Sequence, residues 1–144
     1  MIGDIARALI FAFNAGILHR DVSPANIVRL GRDEELQLGS ETCRRRVGQG
    51  MLIDWHVAAP RDNNSLNTDM PIVTGTGLFT SIVPGPHSIW HDLESLVYSA
   101  LFIATDSQVH WKHGANIDTL RSLKFASMTL DWTMKVAPRI RFHL

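Results

Sequence analysis

The chain has 144 residues, 45% apolar and 19% charged, with a formal net charge of zero and a pI near 7.1. That is too apolar and too evenly charged for a disordered tail, and it lacks the basic field of a nucleic-acid-binding surface. One cysteine, Cys43, excludes a disulfide framework or a multi-cysteine zinc module and fits a reducing compartment. The longest apolar stretch, Ile5 to Leu18, is interrupted by Arg7 and Asn14, is too short for a membrane span and lacks the flanks of a signal peptide. One domain's worth of chain is therefore expected, in cytoplasm or nucleus by default, with neither nucleic acid nor membrane as partner.

Residues 2–15 read as a helix, because Ile2, Ile5, Leu9 and Phe13 step by three and four and share one face. Gly16 supplies the stop, since it adopts a left-handed conformation without steric cost. A loop broken by Pro24 leads to a short strand over Ile27 to Leu30. Gly31 to Gly50 is hydrophilic and glycine-rich, with Asp33, Glu34, Glu35 and the triplet Arg44, Arg45, Arg46, and reads as a long hairpin connection with a solvated charge run. Met51 to Ile53 is a second strand, and 60–77 is loop. A helix is predicted from about Asp92 to Ala104, with Ser88 or Asp92 as its cap and Leu93, Leu96, Val97, Ala100, Leu101 and Ala104 as its apolar stripe. One more helix is expected within 117–136.

The chemistry concentrates in His19-Arg20-Asp21-Val22-Ser23-Pro24-Ala25-Asn26 and in Met51-Leu52-Ile53-Asp54. If the two strands pair as a hairpin, Asn26 at the start of one lies near Asp54 at the end of the other. Asp21, Asn26 and Asp54 then form a cluster of hard oxygen ligands, which suits Mg²⁺ shared with substrate phosphates and does not suit zinc. His87 with His91, and His110 with His113, have spacings that occur in metal sites, but without cysteine partners they read as ordinary polar residues. Trp90, Trp111 and Trp132 read as core or rim aromatics, Cys43 as a plain loop thiol, and Ser81 and Thr80 as loop hydroxyls.

The pattern His-Arg-Asp, four residues, Asn, then a strand ending on Asp resembles the catalytic and metal-binding loops of protein kinases. Gly75-Thr76-Gly77-Leu78-Phe79-Thr80-Ser81 resembles the end of a kinase activation segment, where a threonine bonds back to the catalytic loop. His91-Asp92-Leu93-Glu94-Ser95-Leu96 resembles the start of the central buried helix of the large lobe. Together these stretches, over about residues 1–105, are most similar to the fungal-type protein kinase family. The resemblance implies an α+β fold: a kinase-like large lobe, mainly helical with a small β-hairpin. Its parts would be a catalytic loop at 17–30, a metal-binding strand at 51–58, an activation segment at 54–82 and a central helix at 92–104. It implies Asp21 as the residue that orients the substrate hydroxyl, and Asn26 and Asp54 as Mg²⁺ ligands. His19, Arg20, Ser23 and Asp92 would support the loop, and Thr76 would act in the activation segment. Mg²⁺ and ATP are the implied cofactors, and an unidentified protein the implied substrate.

The sequence also departs from that pattern. Its three lysines, Lys112, Lys124 and Lys135, all follow the catalytic loop, so the small-lobe lysine and its glycine-rich strand-turn are not among these residues. The expectation is a large lobe whose partner, the small lobe, is missing, with weak or absent ATP binding by the chain alone. Asp54-Trp55-His56 replaces Asp-Phe-Gly, and His56 tolerates positive φ less well than glycine. Ser23 stands where many kinases carry lysine, and no Ala-Pro-Glu follows Thr80. Two alternatives stay open: a non-catalytic interaction lobe, and a small-molecule phosphotransferase of the aminoglycoside or choline kinase kind, which Ile53-Asp54-Trp55 also resembles.

Overall fold

The computed structural model describes residues 1–31, 33–45, 48–61, 77–82, 85–109, 111 and 116–127. The described chain is α+β. Helix α1 (Ile2–Asn14) leads to strand β1 (Ile17–Leu18). A single 3-10 turn (Pro24–Asn26) is followed by β2 (Ile27–Arg29), β3 (Glu34–Leu38), β4 (Glu41–Arg45), β5 (Gly50–Leu52) and β6 (Ala59–Pro60). Helices α2 (Ile89–Ala104) and α3 (Ile117–Ser127) complete it. The strands form three antiparallel pairs, β1 with β6, β2 with β5 and β3 with β4.

In α1, Ile5, Leu9 and Ala12 are buried, with Ile2 partly so, as the three-and-four spacing requires. Gly16 takes φ +82° and its N–H bonds Phe13 O at 2.9 Å, ending the helix. The helix is pinned to β5 by Asp4, whose Oδ2 accepts the Gly50 N–H at 2.9 Å. That bond, aided by the Met1 amino group and Arg7, holds the Asp4 carboxyl down at about 2. Gly50 has no room for a side chain, because a Cβ there would lie 2.5 Å from the backbone oxygen of Met1.

The 31–50 connection differs from the expected solvated loop. Much of it is a second hairpin, β3 and β4, in the register Glu35 opposite Arg44 and Gln37 opposite Thr42. Gly39, at φ +65°, forms its turn. Exposed cross-strand side chains add to its backbone ladder: Arg44 Nη2 bonds Glu35 Oε1 at 2.7 Å, and Gln37 Nε2 bonds Thr42 Oγ1 at 3.0 Å. Arg46 lies outside the described residues.

Helix α2 begins three residues before Asp92, because Ser88 is its N-cap and the His91 ring accepts the Ser88 N–H at 3.1 Å. Its buried side also differs from the predicted stripe. Val97 and Ala104 are exposed, whereas Asp92, Ser95, Leu96, Tyr98 and Ser99 are buried. Ser99 can be buried because its hydroxyl bonds the Ser95 carbonyl at 2.8 Å. The cause is that α2 serves two cores. Leu96 joins Ile5, Leu9, Val22, Ile27 and Leu52. Tyr98 joins Phe79, Val109, Trp111 and Leu120. Trp111 is fully buried, as a core aromatic, and meets the Tyr98 ring edge-on at 5.4 Å, while Trp90 is exposed. Residues 128–144, with Trp132, and the pair His110 and His113 lie outside the described residues, as do Lys112, Lys135 and 62–76. Among the described residues no helix is long and apolar enough to cross a membrane.

The second core contains a buried cation. Lys124 of α3 lies over the Tyr98 ring, 4.3 Å from its centroid, and its Nζ donates to the Thr80 carbonyl. Burial lowers its pKa to about 8, and burial together with Glu94 raises that of Tyr98. Between pH 8 and its unfolded value, Lys124 binds more protons in the unfolded chain than in the native one, so stability rises with pH there. Tyr98 acts in the opposite sense above about pH 10, where the unfolded phenol ionises first. Stability measured by urea denaturation is expected to rise by roughly 1–3 kcal/mol from pH 8 to a maximum near pH 10, then fall. Lys124→Met should flatten the rising limb; an unaltered limb would place the titration elsewhere.

Candidate functional site

Two strand pairs frame the site. Pairing of Leu18 with Ala59 and of Ile27 with Leu52 lays residues 19–26 beside 53–58. The second ladder extends by one bond, Ile53 N–H to Asn26 O at 2.9 Å, so Asp54 follows directly on the partner of Asn26. Asp54 then turns the chain at φ +63°, a left-handed conformation that aspartate tolerates better than most residues. His56 is not among the positive-φ residues, so the strain expected there does not arise. Instead its Nδ1 bonds Asp54 Oδ1, and this bond keeps the exposed Asp54 carboxyl below its ordinary pKa.

Asn26 is buried, and its amide orientation is fixed by donation. Nδ2 bonds the Asp21 backbone carbonyl at 2.9 Å and Asp21 Oδ2 at 3.1 Å. The carboxamide oxygen is therefore the end left to act as a ligand. Pro24 starts the 3-10 turn that brings Asn26 back over Asp21, and Asn26 N–H bonds Ser23 O at 3.0 Å to close it. Ser23 is itself buried, and its hydroxyl has no hydrogen-bond partner among the described residues.

His19 is fully buried beneath this turn. Its Nε2 bonds Ile53 O at 3.1 Å and its Nδ1 accepts the Asp21 N–H at 3.3 Å, a pair of bonds that the Nε2–H tautomer satisfies. Burial holds its pKa below the ordinary value, keeping the ring neutral. Trp55 meets the ring edge-on at 4.5 Å and donates its indole N–H to Leu52 O at 3.1 Å. His19 thus spans the two loops that carry Asp21 and Asp54.

The turn hangs from α2. Asp92 is 1% exposed. Its Oδ2 accepts the His19 N–H at 2.9 Å and its Oδ1 the Arg20 N–H, also at 2.9 Å. Arg20 sits at φ +71°, and the Asp92 bond holds it there. A third bond comes from His87 Nε2 to Oδ1 at 2.8 Å, with the His91 ring stacked on His87 at 5.1 Å. Sequence reasoning missed this role of His87. The signal was present in Ser88 followed three residues later by His91, a capping box with histidine in the usual glutamate position.

The residues predicted to hold Mg²⁺ are brought to one place in part: Asp21 and Asn26 touch, and Asp54 follows the residue paired with Asn26. Among the described residues no three His, Cys, Asp or Glu side chains gather into a metal site. The donor set is one carboxamide oxygen and one carboxylate, which fits a magnesium ion completed by water and substrate phosphates and does not fit an all-protein cage. Thr76 lies outside the described residues.

A family model described as fungal protein kinase matches residues 4–104, from the first turn of α1 to the last residue of α2. No curated protein matches the chain.

A carboxamide at position 92 accepts at one oxygen only, so at least one of the three donors loses its partner. Asp92→Asn is expected to cost about 2–4 kcal/mol in urea denaturation, with amide exchange accelerated first at His19 and Arg20. A stability within about 0.5 kcal/mol of the parent would remove Asp92 from this role.

Proposed function

The chain belongs to the fungal protein kinase family, and from that premise we propose that it is the catalytic lobe of an ATP-dependent kinase that phosphorylates serine or threonine hydroxyls of a protein. The observation that carries this reading is the Asn26–Asp21 pair, held in one orientation by two bonds, with the two residues just before it, His19 and Arg20, each bonded to Asp92. Phosphoryl transfer needs little covalent chemistry from the protein and much positioning, and a pre-set carboxylate and carboxamide supply it.

In the reaction, the substrate hydroxyl oxygen forms a bond to the γ-phosphorus while the bond to the bridging oxygen of ADP breaks. Asp21 orients the hydroxyl and receives its proton. Asn26 and Asp54 would hold Mg²⁺, which when bound neutralises charge on the phosphate oxygens. Arg20 would pair with a phosphate or carboxylate of the activation segment, in which Thr76 would act. Ser23 takes the place of a lysine on the transferred phosphate, and its short side chain cannot reach as far. That substitution, with Trp55-His56 after Asp54 in place of Phe-Gly, favours a second reading, a lobe that binds a partner without catalysing transfer.

In protein that includes the nucleotide-binding lobe, Asp21→Asn and Asp54→Ala should each lower transfer from labelled ATP to protein by at least about 100-fold. Label appearing on an amino sugar or choline in place of protein would reassign the substrate class. For the 144 residues alone, calorimetry should detect no Mg-ATP binding; micromolar affinity would contradict the need for a second lobe.

A further inference from the structure

Residues 77–82 reach the second core as a segment without helix or strand, so their backbone groups need partners from elsewhere. Phe79 is buried in that core, with Leu78 and Ile82 packed partly against it. The polar atoms on either side are taken by two ionisable side chains. Glu94 of α2 accepts the Ile82 N–H at Oε1, 3.1 Å away, and the Ser81 hydroxyl at Oε2. Lys124 of α3 donates to the Thr80 carbonyl. Tyr98, one turn after Glu94, links the two: its hydroxyl bonds Glu94 Oε1 at 2.5 Å and its ring lies under the ammonium. Three consecutive residues are thus held by an acid from one helix and a base from another.

A core would be filled at lower cost by methionine or leucine than by a desolvated ammonium. What the ion adds is direction: a carbonyl and an amide two residues apart are each assigned one partner, which fixes the register of the segment. The family match ends at residue 104, so Lys124 brings this contact from chain beyond it.

We propose that Glu94 and Lys124 are positioning residues that set the register of residues 80–82, and with it the surface on which a protein substrate presents its hydroxyl to Asp21. The second half of this statement rests on the kinase reading above.

The test uses Glu94→Gln and Lys124→Met, with Ser81→Ala as a milder variant that keeps the carboxylate should either of the others fail to fold. Each is expected to accelerate amide exchange at residues 80–82 by about ten-fold or more while His19 and Arg20 keep their protection. In protein with both lobes, KM for a peptide substrate should rise by about ten-fold, with kcat and KM for ATP within about two-fold of the parent. Exchange at 80–82 indistinguishable from the parent overturns the proposal, as does acceleration spread equally over α2 and the catalytic loop. An unmoved peptide KM in an active parent overturns its second half. If the parent phosphorylates no peptide, the kinase reading fails, and the exchange data alone decide whether the clasp exists.

Discussion

The Asp92 carboxylate is the constraint on which the site depends. It is removed from water, and a carboxylate so placed is tolerable only when its oxygens are occupied by donors. His19, Arg20 and His87 supply three of them. The dependence runs both ways: the two backbone donors are held where Asp92 meets them, and one of these residues, Arg20, has a left-handed backbone that would otherwise relax. From Arg20 the chain passes to Asp21, whose carbonyl and carboxylate fix Asn26, and through Asn26 O to Ile53 and Asp54. A helix begun at Ser88 thereby sets the positions of His19 and Arg20, which lie 73 and 72 residues before Asp92 in sequence.

The same helix organises the rest of the described chain. Through Leu96 it closes the core under the turn that carries Asp21 and Asn26, and through Tyr98 the core that receives Phe79. The element that aims Asp21 is therefore also the one against which residues 77–82 are packed. This arrangement suits a transfer between two bound substrates, in which positioning supplies most of the rate. His19 plays a comparable part between loops: a neutral, buried ring bonded at both nitrogens makes the loops of Asp21 and Asp54 one unit.

Local patterns were legible in the sequence. The α1 face, the stop at Gly16, the antiparallel pairing of the strands after Asn26 and before Asp54 and the family resemblance itself all follow from spacing and residue type. What was not legible depends on tertiary context. The α2 stripe was misread at Val97, Ser95 and Ser99 because periodicity assumes one buried face and this helix has two. The β3–β4 hairpin was read as loop because its charges stay exposed, even where register pairs Glu35 with Arg44. Lys124 shares a face with Leu120, four residues earlier, but a lysine in such a stripe gives no sign from sequence that its ammonium is drawn inward to a carbonyl. The strain foreseen at His56 falls at Asp54 instead, since the chain turns at the end of the ladder and not two residues later.

The most direct test of the account is a titration of protein that includes the nucleotide-binding lobe with Mn²⁺ and ATP, Mn²⁺ standing in for Mg²⁺ at oxygen ligands, with paramagnetic broadening of backbone amide signals as the readout. Broadening strongest at Asn26 and Asp54, weaker at His19 and absent along α3, is the result the account predicts. Broadening scattered over exposed carboxylates such as Glu35 and Asp118, with none centred on Asn26 and Asp54, would contradict it.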